Sequence, residues 1–204
     1  MNETLRAKAE WLIDILNQFP EVETCRLYGS LVKNTADALS DIDLEMDVVG
    51  MDDAAFVLTL PDRLKEKIPV FYADYAPSLA PERYVVSLAL DETNPFLIAD
   101  LCCHSSPHSN ALTRDELRKR NDPYTHMLKL WTANLKHHAR KADCREDILR
   151  MAEKLGIQEA WAFSNDVLLE KVLMWLEENA PSHLRMLAES CRKAYDSMVH
   201  RQGG

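Results

Sequence analysis

Residues 24–49 read TCRLYGSLVKNTADALSDIDLEMDVV, and the order of residue types in this stretch decides the fold class. From Asp41 to Val49 acidic and apolar residues alternate. Asp41, Asp43, Glu45 and Asp47 fall on one phase, and Ile42, Leu44, Met46 and Val48 on the other. A period of two is that of a strand, so the segment predicts a strand with one dry face and one acidic face. Upstream, Thr24-Cys25-Arg26-Leu27-Tyr28 reads as a short strand running into Gly29-Ser30, after which Leu31 to Ala38 has room for about two helical turns.

On the N-terminal side, Leu5, Ala9, Leu12, Leu16 and Phe19 recur at intervals of three and four, the stripe of an amphipathic helix that Pro20 closes. On the C-terminal side, Asp52-Asp53 reads as the cap of a helix from Ala54 to Lys67, which Pro61 is expected to kink or split. Three apolar runs follow, Val70 to Tyr75, Tyr84 to Leu90 and Phe96 to Cys102. The turn-forming residues Asp91-Glu92-Thr93-Asn94-Pro95 join the last two as a hairpin. Together these runs predict a mixed sheet of five strands.

Beyond about Thr113 the strand-like runs stop. Asp122-Pro123 opens a helix to about Lys141, Asp143 to Leu155 forms the next with Gly156 to stop it, and Ser164 or Asn165 to Asn179 and Pro181 to about Arg201 supply two more. The expected class is α+β: a sheet domain with flanking helices over residues 1–118, then a C-terminal helical bundle over 119–204. Trp131, Trp161 and Trp175 read as core or interface residues, and His137 and His138 as surface residues.

Composition narrows the function classes. With 47% hydrophobic residues in 204, the chain can bury a sizeable core. No apolar run is long enough to span a membrane, and the opening Met1-Asn2-Glu3-Thr4-Leu5-Arg6 lacks the basic and apolar regions of an export signal, so a cytoplasmic location is expected. Five cysteines without Cys-x-x-Cys spacing argue for reduced thiols rather than a disulfide framework. In Cys102-Cys103-His104, neighbouring side chains of a strand point to opposite faces and cannot readily chelate one zinc ion together. The net charge of -9, from 24 Lys and Arg against 33 Asp and Glu, works against a nucleic-acid partner and favours a cationic small acceptor.

The candidate chemistry lies in Leu27-Tyr28-Gly29-Ser30 and, ten residues on, Asp41-Ile42-Asp43-Leu44. Two residues apart on a strand, Asp41 and Asp43 share a face with their Cα atoms roughly 6.5 to 7 Å apart. Such a pair can hold two hard cations about 3.5 to 4 Å apart, the spacing of in-line phosphoryl or nucleotidyl transfer. Gly29-Ser30 offers a backbone that phosphate oxygens can approach closely, with amides and a hydroxyl to receive them.

In these residues the chain resembles the nucleotidyltransferase superfamily typified by DNA polymerase β. That family carries a Gly-Ser start, a short helix and an Asp-x-Asp on the following strand, and Gly29, Ser30, Ala36, Ser40, Asp41, Asp43 and Leu44 match it. Lys33-Asn34 stands where many members have Arg-Gly; lysine keeps the charge, and asparagine tolerates a left-handed backbone. The resemblance implies a third carboxylate on a later strand, for which Asp74 and Asp100 are candidates. Asp100 is preferred because it sits in an otherwise apolar run, where a charge is costly unless compensated. It also follows the hairpin turn, as the third acid does in the aminoglycoside- and streptomycin-type adenylyltransferases that this chain looks like.

The resemblance further implies two Mg²⁺ ions held by Asp41, Asp43 and Asp100, a nucleoside triphosphate such as ATP as co-substrate, and release of pyrophosphate. Asp100 or another nearby acid would serve as base. Gly29, Ser30, Lys33 and Ser40 would meet the nucleotide. Lys136 and Arg140, four apart on one helical face, either reach triphosphate oxygens or form a solvated basic stripe. The implied acceptor is a hydroxyl on a small molecule such as an aminoglycoside. A protein-directed AMP transferase or antitoxin-like partner-binding module is the alternative, and an RNA-directed transferase would require a basic channel.

Overall fold

The computed structural model describes residues 2–77, 83–105 and 112–202. The alternation of residues 41–49 becomes a strand, β2 (Ile42–Val48), whose residues are buried and half-buried in strict turn. On one face Ile42, Leu44, Met46 and Val48 are at most 1% exposed. Asp43, Glu45 and Asp47 occupy the other, half-buried, in line with the two-faced strand expected.

β2 lies second in a five-stranded sheet of order β1-β2-β5-β4-β3, where β1 is Val22–Leu27, β3 Tyr72–Pro77, β4 Tyr84–Ala89 and β5 Ile98–Ser105. β2 and β5 run parallel and every other neighbouring pair is antiparallel, so the sheet is mixed. β4 and β5 form the expected hairpin across residues 90–97, closed by Leu90 N–H donating to Leu97 O at 3.1 Å.

Two helices pack on the dry face. α1 (Asn2–Leu16) contributes Ala9, Leu12 and Leu16 to the core, and α3 (Asp53–Lys65) contributes Phe56, Val57, Leu60 and Leu64. Each large side chain so buried stabilises the fold by about 1.5–3 kcal/mol in transfer terms. Asp52 caps α3, its carboxylate accepting from Ala54 N–H and Ala55 N–H. Pro61 does not split the helix, for α3 runs through it to Lys65. Leu60, Pro61 and Leu64 are all buried there, and this packing offsets the cost of a proline inside a helix, about 3 kcal/mol.

The helix expected over Leu31–Ala38 is also corrected. Only one turn forms, α2 (Gly29–Val32), because Asn34 takes a left-handed backbone (φ 55) that ends it. The Asp37 carboxylate then accepts from Leu39 N–H at 2.9 Å, a local bond that competes with helix formation.

The chain divides into two compact units, residues 1–91 with 96–121, and residues 92–95 with 122–204. The first holds the sheet, α1 to α3 and the short helix α4 (Arg114–Arg118). The second holds four helices, α5 (Pro123–Ala139), α6 (Arg145–Lys154), α7 (Asn165–Glu178) and α8 (Arg185–Gln202), with α7 packed against the other three. Asp122 caps α5 by accepting from Thr125 N–H, Ser164 caps α7 by accepting from Val167 N–H, and Gly156 follows α6 at φ 72. Among the described residues no helix is long and apolar enough to cross a membrane.

Of the three tryptophans in the C-terminal unit, Trp131 is fully buried, its Nε1–H donating to Leu169 O at 2.9 Å. Trp175 is half-buried and stacks on Tyr124 at 5.9 Å. Trp161 is not a core residue: it is 74% exposed in a 3₁₀ turn (Ala160–Ala162) whose backbone carbonyl at Trp161 is held by Arg145. Apolar character alone does not bury a residue in a short connection of this kind. Trp131→Ala should leave a cavity and cost about 3–5 kcal/mol, read as a lowered urea midpoint.

All five cysteines are free thiols. Cys103 faces the core while Cys102 and His104 lie on the polar face of β5, as strand geometry requires. Burial pushes every thiol up, Cys25 to about 12. The thiolate is the reactive form, so at pH 8 these thiols are held in the unreactive protonated state. Labelling by a thiol reagent at pH 8 should therefore be slow in the folded protein and rapid in denaturant.

Candidate functional site

Paired residues of neighbouring strands share a face, so the sheet register fixes which polar side chains meet. Asp43 pairs with Asp100, Asp100 with Ser87, and Ser87 with Asp74, giving one row across β2, β5, β4 and β3. Adjacent strands lie about 4.8 Å apart. Asp100 is therefore one step from Asp43 and Asp74 is three steps, roughly 14 Å, away. Asp43 and Asp100 are half-buried, whereas Asp74 is 1% exposed. Asp41, half-buried, immediately precedes β2 and is two residues from Asp43.

The Gly29-Ser30 turn is fitted to this row. Tyr28 N–H donates to Asp43 O at 3.1 Å, extending the β1–β2 pairing by one residue. Gly29 then turns with φ 70, and a Cβ added there would lie 2.8 Å from Asp43 Cγ and still closer to Oδ2. Only glycine lets the backbone take this conformation and approach the carboxylate so closely. Leu31, 2% exposed, anchors α2 in the core, and Arg6 of α1 donates to its carbonyl at 2.6 Å.

The loop that follows delivers Asp41. Lys33 caps α2, its N–H donating to Gly29 O, and Thr35 N–H donates to Ser30 O at 3.0 Å. Ser40 is 9% exposed; its Oγ donates to Asp37 Oδ1 and accepts from Asp37 N–H, each at 2.9 Å. Ser40 thus ties the turn directly before Asp41. Asn34, left-handed as its residue type allows, makes the reversal between α2 and this turn.

Further along β2 the acids have side-chain partners. Glu45 accepts from Arg26 Nε at 3.0 Å and Nη2 at 2.9 Å on one oxygen, and from Arg83 Nη1 at 2.6 Å on the other. Asp47 is paired with His104 and accepts from the Thr24 hydroxyl. Asp100 accepts from the buried Ser87 hydroxyl. Burial first, then the charge of Asp43, raises the Tyr28 phenol, so Tyr28 remains a neutral hydroxyl beside the row.

Arg26, Arg83 and Ser87 are members of this face that sequence reading misses. Only Ser87 leaves a trace, as a lone hydroxyl within Tyr84-Val85-Val86-Ser87-Leu88-Ala89. Lys136 and Arg140 belong to the second unit, where Lys136 is 4% exposed and Arg140 follows α5 as its C-cap. His137 is exposed there, and His138 pairs with Asp166 at 2.8 Å.

Carboxylates are hard, anionic oxygen donors, the chemistry that Mg²⁺ takes, and Asp41, Asp43 and Asp100 fit it by type. Among the described residues no three or more His, Cys, Asp or Glu side chains are gathered closely enough to enclose an ion by themselves. Magnesium is commonly held by one or two carboxylates together with substrate phosphates rather than by an all-protein cage. No protein-family model matches the chain, and no curated protein matches it.

Proposed function

We propose that the chain is a magnesium-dependent nucleotidyltransferase that moves a nucleoside monophosphate, AMP from ATP, onto a hydroxyl of a small-molecule acceptor. The observation that carries this reading is the Asp43–Asp100 register pair with the Gly29 backbone packed against the Asp43 carboxylate. On this reading the five-stranded sheet is a nucleotidyltransferase domain and the helices after it form a helical bundle.

Asp41, Asp43 and Asp100 would hold the Mg²⁺, with Asp100 on the side of the incoming acceptor. Magnesium at these carboxylates would neutralise the triphosphate and withdraw electron density from its α-phosphorus. The Gly29-Ser30 turn receives phosphate oxygens through its amides and the Ser30 hydroxyl. The acceptor oxygen bonds to the α-phosphorus as the bond to the bridging oxygen breaks. Pyrophosphate leaves, and the hydroxyl proton passes to a carboxylate, Asp100 being the acid on the strand beside Asp43. The net charge of -9 favours a cationic acceptor such as an aminoglycoside.

The acceptor class is tested by incubating the protein with α-labelled ATP, Mg²⁺ and separate panels of hydroxylated small molecules including aminoglycosides, of RNA, and of proteins. Label on a small molecule is the expected result. Label confined to protein or to RNA would replace the small-molecule acceptor by that class.

A further inference from the structure

We propose that Ser87 is a positioning residue that sets the orientation of the Asp100 carboxylate, an inference that rests on the nucleotidyl-transfer reading above. Ser87 is fully buried in the middle of β4, with Asp100 beside it on β5 and Asp74 beside it on β3. The rest of the strand is apolar, Tyr84, Val85, Val86, Leu88 and Ala89. A buried hydroxyl in such a strand destabilises the fold unless its hydrogen bond is made. Alanine or valine would fill the position without that requirement, so the hydroxyl needs a reason.

Its partner supplies one. Ser87 Oγ donates its single proton to Asp100 Oδ1, and among the described residues it is the one hydrogen-bond donor to that side chain. A carboxylate rotates about two side-chain torsions, and anchoring one oxygen to a donor fixed in the sheet removes that freedom. The bond is charge-assisted and therefore among the stronger kinds. Oδ1 is thereby committed within the sheet, and Oδ2 becomes the oxygen presented to a cation or an acceptor hydroxyl. Ser87 touches neither, and acts only through Asp100.

Binding of Mn²⁺ to the full chain, followed by its electron paramagnetic resonance signal, tests this without reference to turnover. The proteins compared are the wild type, Ser87→Ala, Ser87→Thr and Asp43→Asn. Losing a residue that orients a ligand weakens metal affinity by about 10- to 100-fold. Ser87→Ala should show that loss in a protein that still folds, with a modestly lowered melting temperature, because the half-buried Asp100 oxygen loses its charge-assisted partner. Ser87→Thr keeps the hydroxyl and should stay within about threefold of wild type. Should the added methyl prevent folding, Ser87→Ala alone decides, since it removes one oxygen and adds nothing. Wild-type affinity in Ser87→Ala overturns the positioning role while Asp43→Asn, by losing the ion, leaves the metal reading intact. A wild type that binds no Mn²⁺ overturns the metal reading itself, and this inference falls with it.

Discussion

Asp43→Asn is expected to lower nucleotidyl transfer by on the order of a thousandfold or more, about 4 kcal/mol of barrier, in a protein that folds as before. The substitution is nearly isosteric, and the backbone of residue 43 is held from both sides by sheet pairing and by Tyr28 N–H, none of which involves the side chain. What changes is the charge. Asparagine offers one neutral oxygen where the row had an anion, next to the equally placed Asp100, and a hard divalent cation selects strongly for anionic oxygen. Initial rates measured beside far-ultraviolet circular dichroism separate loss of chemistry from loss of fold. Activity within a few fold of wild type would remove Asp43 from the site.

Gly29→Ala should lower transfer by about a hundredfold, because a misplacement of a reacting group by about 1 Å has that effect. Two physical terms act together. A non-glycine residue at φ 70 costs about 1–2 kcal/mol, enough to lower the melting temperature by roughly 2 to 8 °C. The new Cβ would also stand 2.8 Å from Asp43 Cγ, and relief must come from the carboxylate or from α2, since β2 is held by two neighbouring strands. Asn34 distinguishes the terms, for it shows that asparagine accepts φ 55 in this same loop. Gly29→Asn should therefore recover part of the stability and none of the transfer, its Cβ meeting Asp43 as alanine's does.

Local pattern made much of this architecture readable. The strict alternation from Asp41 to Val48 already distinguishes the two faces of β2, and the Asp52, Asp122 and Ser164 caps mark helix starts because capping depends on near neighbours alone. Pairing order is different in kind. Asp43 meets Asp100 only because β2 runs parallel to β5 in one register, and a shift of one residue would turn Asp100 to the opposite face. Apolar periodicity within either segment does not encode that register. For the same reason the grip of Arg26 and Arg83 on Glu45, and of Ser87 on Asp100, emerges only in three dimensions. The single turn of α2, the unsplit α3 and the exposure of Trp161 each depend on packing or side-chain bonds beyond local propensity.

The most direct measurement is release of pyrophosphate and transfer of label from α-labelled ATP by the wild-type protein, with Mg²⁺ and with the cation removed by chelation. Transfer that appears with Mg²⁺, disappears on chelation and returns when the ion is restored is the predicted result. Failure to release pyrophosphate with any acceptor class, in a folded protein supplied with Mg²⁺ and ATP, would contradict the assignment of this carboxylate row to nucleotidyl transfer.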